Sequence, residues 1–291
     1  MFSLLVNIPD NTKWAQNGVT VAGGNGKGDA TNQLYCPFGL FVDDDQTVVI
    51  ADYYNHRIMQ WKNVHTTNGQ VVAGGNGEGN GLHQLNEPID VLIDKETDSL
   101  IICDNGNRRV VRWSRRSGTT QGEILIGNIA CAGLAMDEQR YLYVSDEGKH
   151  EVRRYQLGEN IGTLVAGGNG KGDELSQLNE PHYLFIDRDH SVYEGIVVAG
   201  GQGGGCSLTQ LHFPEELFVD TLGRVNVADY CNHRVMRWTQ GAKLGTVIVG
   251  GNGQGAGANQ FNCPFGLSVD LRGYLYVADA ENHRVQRFSI E

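Results

Sequence analysis

The side chains of this sequence that could do chemistry are nine histidines, six cysteines, several glycine runs and a few acids at one recurring position. Metal chemistry needs histidines or cysteines at ligand spacing. His56, His150, His233 and His283 instead share one slot of a repeat, which gives them identical packing or hydrogen-bonding work in separate copies. His65, His83, His182, His190 and His212 show no ligand spacing, so catalytic zinc is not the favoured reading. Cys36, Cys103, Cys131, Cys206, Cys231 and Cys263 include no C-x-x-C pair and no clear disulfide framework. Cys36 and Cys263 sit in two copies of Cys-Pro-Phe-Gly-Leu. Equivalent positions of separate repeats lie too far apart to bridge, so both are expected as free thiols. The glycine runs at 23–28 and 167–172 look like phosphate loops. Such a loop opens a helix, whereas Gln-Leu-x-x-Pro follows here, and turns at positive φ are the better account.

The elements that must position these groups come from one recurring unit. Val227-Ala228-Asp229-Tyr230-Cys231-Asn232-His233-Arg234-Val235-Met236-Arg237-Trp238 reads as strand, four-residue turn and strand, with Asp accepting backbone N–H groups and Asn suited to positive φ. Close copies carry Asp52, Asn55 and Arg57, then Asp104, Asn107 and Arg109, then Asp279, Asn282 and Arg284. In a further copy Lys149 and Glu151 replace the Asn and the Arg. Gly-Gly recurs at 23, 74, 167, 200 and 250, and five of the six prolines follow in one slot where a strand begins. Each unit then predicts four antiparallel strands in about 50 residues, the signature of a propeller blade.

The Asp-x-x-Asn-His-Arg-Val/Ile units resemble NHL repeats, which form six-bladed β-propellers. The resemblance covers residues 18–291 and implies an all-β, six-bladed propeller, with residues 1–17 as a loosely held N-terminal arm. A spare strand at 18–24 should complete the last blade and close the ring, which hides its edges. The fourth blade is truncated: residues equivalent to 227–243 are absent, and they carry the hairpin turn and third strand. Either neighbouring blades close around this lesion, or the ring is distorted and exposes strand edge; a spliced or damaged gene product is the plainer alternative.

The family includes protein- and RNA-binding modules of ubiquitin ligases, bacterial sensor domains and, more distantly, lyases. The reading favoured here is a non-enzymatic binding scaffold that takes a protein or peptide through its turn face; the alternatives are an RNA-binding module and a metal-dependent lyase or hydrolase acting at the channel mouth. Tyr53, Tyr54, Tyr230, Phe38 and Phe265 are the candidate anchors. If the strands after the prolines line a channel, Asp90, His182, Tyr183, Glu215 and Glu216 meet at its mouth. Oxygen-rich groups there suit a weak Ca²⁺ site or the polar floor of a pocket, against the plainer reading of a hydrated acidic funnel. No other cofactor is expected. A formal net charge of −11 argues against RNA despite the basic cluster of Arg108, Arg109, Arg112, Arg115 and Arg116, with Arg153 and Arg154 in the next unit. No run approaches a membrane span, and a cytoplasmic monomer is expected.

Overall fold

The computed structural model describes residues 8–62, 67–186 and 198–291. Strand β1 (Val19–Gly23) precedes the first full sheet, β2 (Pro37–Val42), β3 (Val48–Asp52), β4 (Arg57–Trp61) and β5 (Gln70–Gly74). The second sheet is β6 (Pro88–Asp94), β7 (Ser99–Asp104), β8 (Arg109–Ser114) and β9 (Glu123–Gly127). The third is β10 (Cys131–Met136), β11 (Tyr141–Asp146), β12 (Glu151–Gln156) and β13 (Thr163–Gly167). The next is β14 (Pro214–Val219), β15 (Val225–Asp229), β16 (Arg234–Trp238) and β17 (Thr246–Gly250). In the last, β18 (Pro264–Val269), β19 (Leu275–Asp279) and β20 (Arg284–Phe288) are joined by β1, which pairs antiparallel with β20 from Val19↔Arg287 to Gly23↔Arg284. The fold is therefore an all-β propeller of five four-stranded blades.

The expected six blades are corrected to five. The fourth repeat keeps its glycine loop and its proline, but it has no residues for a hairpin turn or third strand. Residues 181–186 accordingly carry no strand. A first strand without a partner leaves its backbone groups unpaired, so the ladder does not form. The rest of that repeat, 187–197, lies outside the described residues.

Two compact units divide the chain. Unit 1 contains Val49–Gln60 and Val71–Ile196; unit 2 contains Leu5–Val48, Trp61–Gln70 and Val197–Glu291. In both, the second strand of each blade is a run of buried residues, such as Ser99–Asp104 and Leu275–Asp279, as expected of strands covered on both faces. The N-terminal arm is not loosely held where it is described. In unit 2 Trp14 is buried, pairs with Ile290 and donates its indole N–H to Gly273 O at 2.9 Å, and the Arg224 guanidinium donates to Ile8 O and Asp10 O at 2.8 Å each. No helix among the described residues is long and apolar enough to cross a membrane.

The repeated Asp, Asn and Arg build one clamp. In unit 1 Arg109 Nε donates to Asp104 Oδ2 at 2.6 Å, Asn107 Nδ2 donates to the same oxygen at 2.9 Å, and Asp104 Oδ1 accepts the Asn86 N–H at 2.7 Å. The outer guanidinium nitrogens reach the carbonyls of Asn80, Gly81 and Gln84, which fastens the preceding glycine loop to the blade. Asp52 accepts from Asn55 at 2.8 Å and Arg57 at 2.7 Å in the same way. Unit 2 repeats the clamp at Asp229, Asn232 and Arg234 and at Asp279, Asn282 and Arg284. A buried ion pair is tolerable only when its remaining donors are satisfied, and the loop carbonyls supply that.

The turn departs from expectation at one residue. Asn closes a 3₁₀ turn and the following histidine takes positive φ: 52° at His56, 53° at His233 and 54° at His283. This frees the imidazole Nδ1 to accept the N–H that precedes the next proline, from Glu87 to His56 at 3.1 Å and from Cys263 to His233 at 3.1 Å. His150 does the same for Glu180, and His283 for Cys36. The shared histidine slot is a blade-to-blade joint.

Candidate functional site

In unit 2, β14 and β18 begin with a bulge beside the aromatic residues. The register shifts between Pro214 and Leu217 and between Pro264 and Leu267, which takes the Leu267 N–H out of the ladder. Glu216 Oε2 accepts it at 2.7 Å. A Cβ on Gly266 would lie 2.4 Å from Phe38 O, so only glycine allows this approach. Phe38 and Phe265 then stack with ring centroids 3.9 Å apart, and the Tyr230 ring meets Phe265 edge-on at 5.9 Å. Phe213, whose carbonyl accepts the Tyr230 N–H, is the most exposed aromatic here at 66%. Burial pushes the Tyr230 hydroxyl and the Cys231 and Cys263 thiols above their ordinary pKa values. These thiols stay protonated at neutral pH and are poor nucleophiles. Glu215 is buried at the start of β14.

In unit 1 the equivalent joint is Asp90. Its Oδ1 accepts the Val91 N–H and its Oδ2 the Leu134 N–H, each at 2.8 Å, where β10 bulges between Cys131 and Leu134. Burial raises its carboxyl to about 7, and the two N–H groups oppose that rise. Asp90 and Glu216 therefore each fasten a neighbouring strand. Carboxylates spent on backbone amides make poor cation ligands, and no group of three or more His, Cys, Asp or Glu among the described residues is arranged to hold a metal ion.

His182 and Tyr183 are held by other means. Ser145 Oγ donates to His182 O and accepts the Gly133 N–H, and Tyr183 Oη donates to Ile89 O at 3.1 Å. The His182 ring faces Glu147, Nε2 to Oε2 3.6 Å, while Asn105 Nδ2 holds the other Glu147 oxygen at 3.2 Å and Cys131 O at 2.8 Å. The two groups form an ion pair only when the imidazole is protonated. Tyr53 and Tyr54 pack edge-on at 4.7 Å elsewhere in unit 1, with Tyr54 exposed.

Of the candidates, Phe38, Phe265 and Tyr230 are brought together, as are His182 and Tyr183. Glu147 and Asn105 lie at turn positions that vary from copy to copy, and Phe213 is a partner that the sequence reading passed over. Phe213 had a signal, being the one aromatic in a pre-proline slot otherwise filled by Cys36, Glu87, Glu180 and Cys263. A disulfide between Cys103 and Cys131, with Cα atoms 5.6 Å apart, was also missed, because those two cysteines occupy different slots of the repeat. Neither Cys36 nor Cys263 is joined in a disulfide, as the sequence indicated.

The last blade, with its loop clamped by Arg284, is where the comparison with known families falls. Residues 261–288 match the NHL repeat. The clamp of that stretch recurs at Asp52, Asp104 and Asp229. No curated protein matches the chain. Among solved structures, an auxiliary nutrient binding protein from Bacteroides thetaiotaomicron is similar at 18% identity and a TM-score of 0.72, over 97% of this chain and 77% of that one. A gluconolactonase from Xanthomonas campestris gives 14% and 0.63, over 98% and 99%. A virginiamycin B lyase from Staphylococcus aureus, solved with quinupristin, gives 10% and 0.61, over 95% and 99%. At such identities the likeness concerns the fold. It nevertheless corrects the expectation of a non-enzymatic protein, because enzymes occupy this same propeller fold.

Proposed function

We propose that the chain is a binding propeller that takes a protein or peptide segment through the turn face of unit 2. The observation that carries the reading is Phe213, 66% exposed and bonded through its carbonyl to Tyr230, beside the Tyr230–Phe265–Phe38 aromatic group. An exposed aromatic next to a rigid aromatic base is the arrangement from which binding hot spots are built. Peptides selected from a displayed library on the intact protein, then titrated calorimetrically, test it. Phe213→Ser and Tyr230→Ala should each weaken binding by about 10-fold or more, since a hot-spot side chain contributes roughly 2 kcal/mol. Unchanged affinity in both variants, with unchanged thermal stability, would refute it.

A second reading rests on the His182–Glu147 pair of unit 1, about one-third exposed on both sides. The likeness to a gluconolactonase and to nutrient-binding proteins supports a small polar ligand or substrate there. Hydrolysis of a lactone that is abolished in His182→Ala would favour it over peptide binding. An unchanged rate in that variant would count against it.

A further inference from the structure

In three blades the glycine loop that precedes the blade is completed by that blade's own arginine and asparagine. Loop 79–84 presents the carbonyls of Asn80, Gly81 and Gln84 to Arg109 and that of Gly79 to Asn107. Loop 205–210 does the same for Arg234 and Asn232, and loop 255–260 for Arg284 and Asn282. One residue past each loop's leucine or phenylalanine, the N–H of Asn86, His212 or Asn262 donates to the turn aspartate of the same blade, each at 2.7 Å.

Loop 172–177 is constructed identically. Asn169 Nδ2 donates to Ser176 O at 3.0 Å, Gln177 Nε2 to Asn169 O at 3.1 Å, and the Gly172 N–H to Leu178 O at 3.3 Å. Loop 79–84 shows the same three bonds from Asn76, Gln84 and Gly79. The loop therefore offers the carbonyls of Gly172, Asp173, Glu174 and Gln177 and the N–H of Asn179 in the positions that elsewhere receive Arg, Asn and Asp. This chain has no such triad for it, because the stretch equivalent to 227–243 is missing from the sequence. Among the described residues no side chain donates to those four carbonyls, and no carboxylate accepts the Asn179 N–H. Leu175 is 66% exposed, against 40% for Leu82 and 44% for Leu208 at the same loop position.

We propose that loop 172–177 with Asn179 is a docking site for an arginine-bearing segment of another protein, of the form Asp-x-x-Asn-x-Arg, presented as a turn followed by a strand. Three carbonyls converging on one point fit the fork of a guanidinium, which donates in several fixed directions at once. The fourth fits a side-chain amide, and the backbone N–H fits a carboxylate. A second copy of this chain is not the occupant, since Asp52, Asp104, Asp229 and Asp279 already hold their own arginines. The net charge of −11 favours a cationic segment.

The test uses the full chain and a synthetic peptide with the sequence of residues 225–243, carrying Cys231→Ser. Calorimetry should show saturable binding. Arg234→Lys in the peptide should weaken it at least about 10-fold, because an ammonium cannot span the three carbonyls. Hydrogen exchange should show new protection at 172–179 and none at 79–84. No heat at about 1 mM peptide, equal binding of the lysine peptide, or protection confined to other loops would each overturn the proposal. The loop shares no residue with the aromatic group of unit 2. Phe213→Ser in the protein leaves this binding unchanged, so failure of one reading is distinguishable from failure of the other.

Discussion

Asp90 lies between the N–H groups of Val91 and Leu134, and burial raises its carboxyl to about 7. The folded state therefore keeps a proton that the unfolded chain, with an ordinary aspartate, releases near pH 4. Stability conferred by that proton is fully present below the unfolded pKa and is lost as pH rises from about 4 through 7, with little change above. Burial raises Asp104 and Asp279 in the same direction. Asp90→Asn keeps an acceptor for Leu134 and removes the titration, so urea unfolding at stepped pH should show a flatter profile between pH 4 and 7. An identical slope in the variant would refute the assignment. Arg234 is the opposite case. Arg234→Ala leaves Asp229 buried without its cation and three loop carbonyls without their donor, and should cost about 3–5 kcal/mol in urea unfolding. The Asp, Asn and Arg of this clamp were legible because they lie five residues apart or fewer. The histidine joints were not, since the Cys36 N–H meets His283 across 247 positions and no local spacing reports such a pair.

At the scale of the element, the strand order follows from the repeat, and prolines open β2, β6, β14 and β18 where a missing N–H does no harm. What the alternation of residues could not show is the bulge at the start of β6, β10, β14 and β18. That irregularity turns Asp90 and Glu216 from supposed channel ligands into joints. It also demands glycine at 133, where a Cβ would lie 2.3 Å from His182 O. Gly133→Ala should therefore push the 181–186 segment away from β10, at a cost of about 1–3 kcal/mol for overpacking. The measurable sign is faster hydrogen exchange at 181–186, with 79–84 unaffected. Equal exchange in both proteins would mean that the segment is not held by this contact. The His182–Glu147 pair was hidden for a related reason: Glu147 occupies a turn position that varies from copy to copy, so only coordinates show what it faces.

At the scale of the whole molecule, the number of blades is the point on which the repeat count misled. Six apolar segments ending in Asp, at Asp43, Asp94, Asp137, Asp187, Asp220 and Asp270, are present in the sequence, but a blade forms only when a second and third strand exist to pair with the first. Stability in repeat folds is a sum of unit terms and nearest-neighbour interfaces, so a unit that cannot form its sheet forfeits its own term and both interfaces. Inserting residues equivalent to 227–243 at the corresponding point of the fourth repeat supplies the missing turn, strand and clamp. That chain should gain a sixth four-stranded sheet and unfold at a temperature higher by several degrees, since each added kcal/mol is worth about 2–4 °C at this size. It should also lose binding of the 225–243 peptide, because loop 172–177 would then be filled from within. A chain that gains stability yet still binds the peptide would show that the loop is not what the peptide contacts. A chain that loses both would show that the shortened repeat had already settled into a packing the insertion breaks.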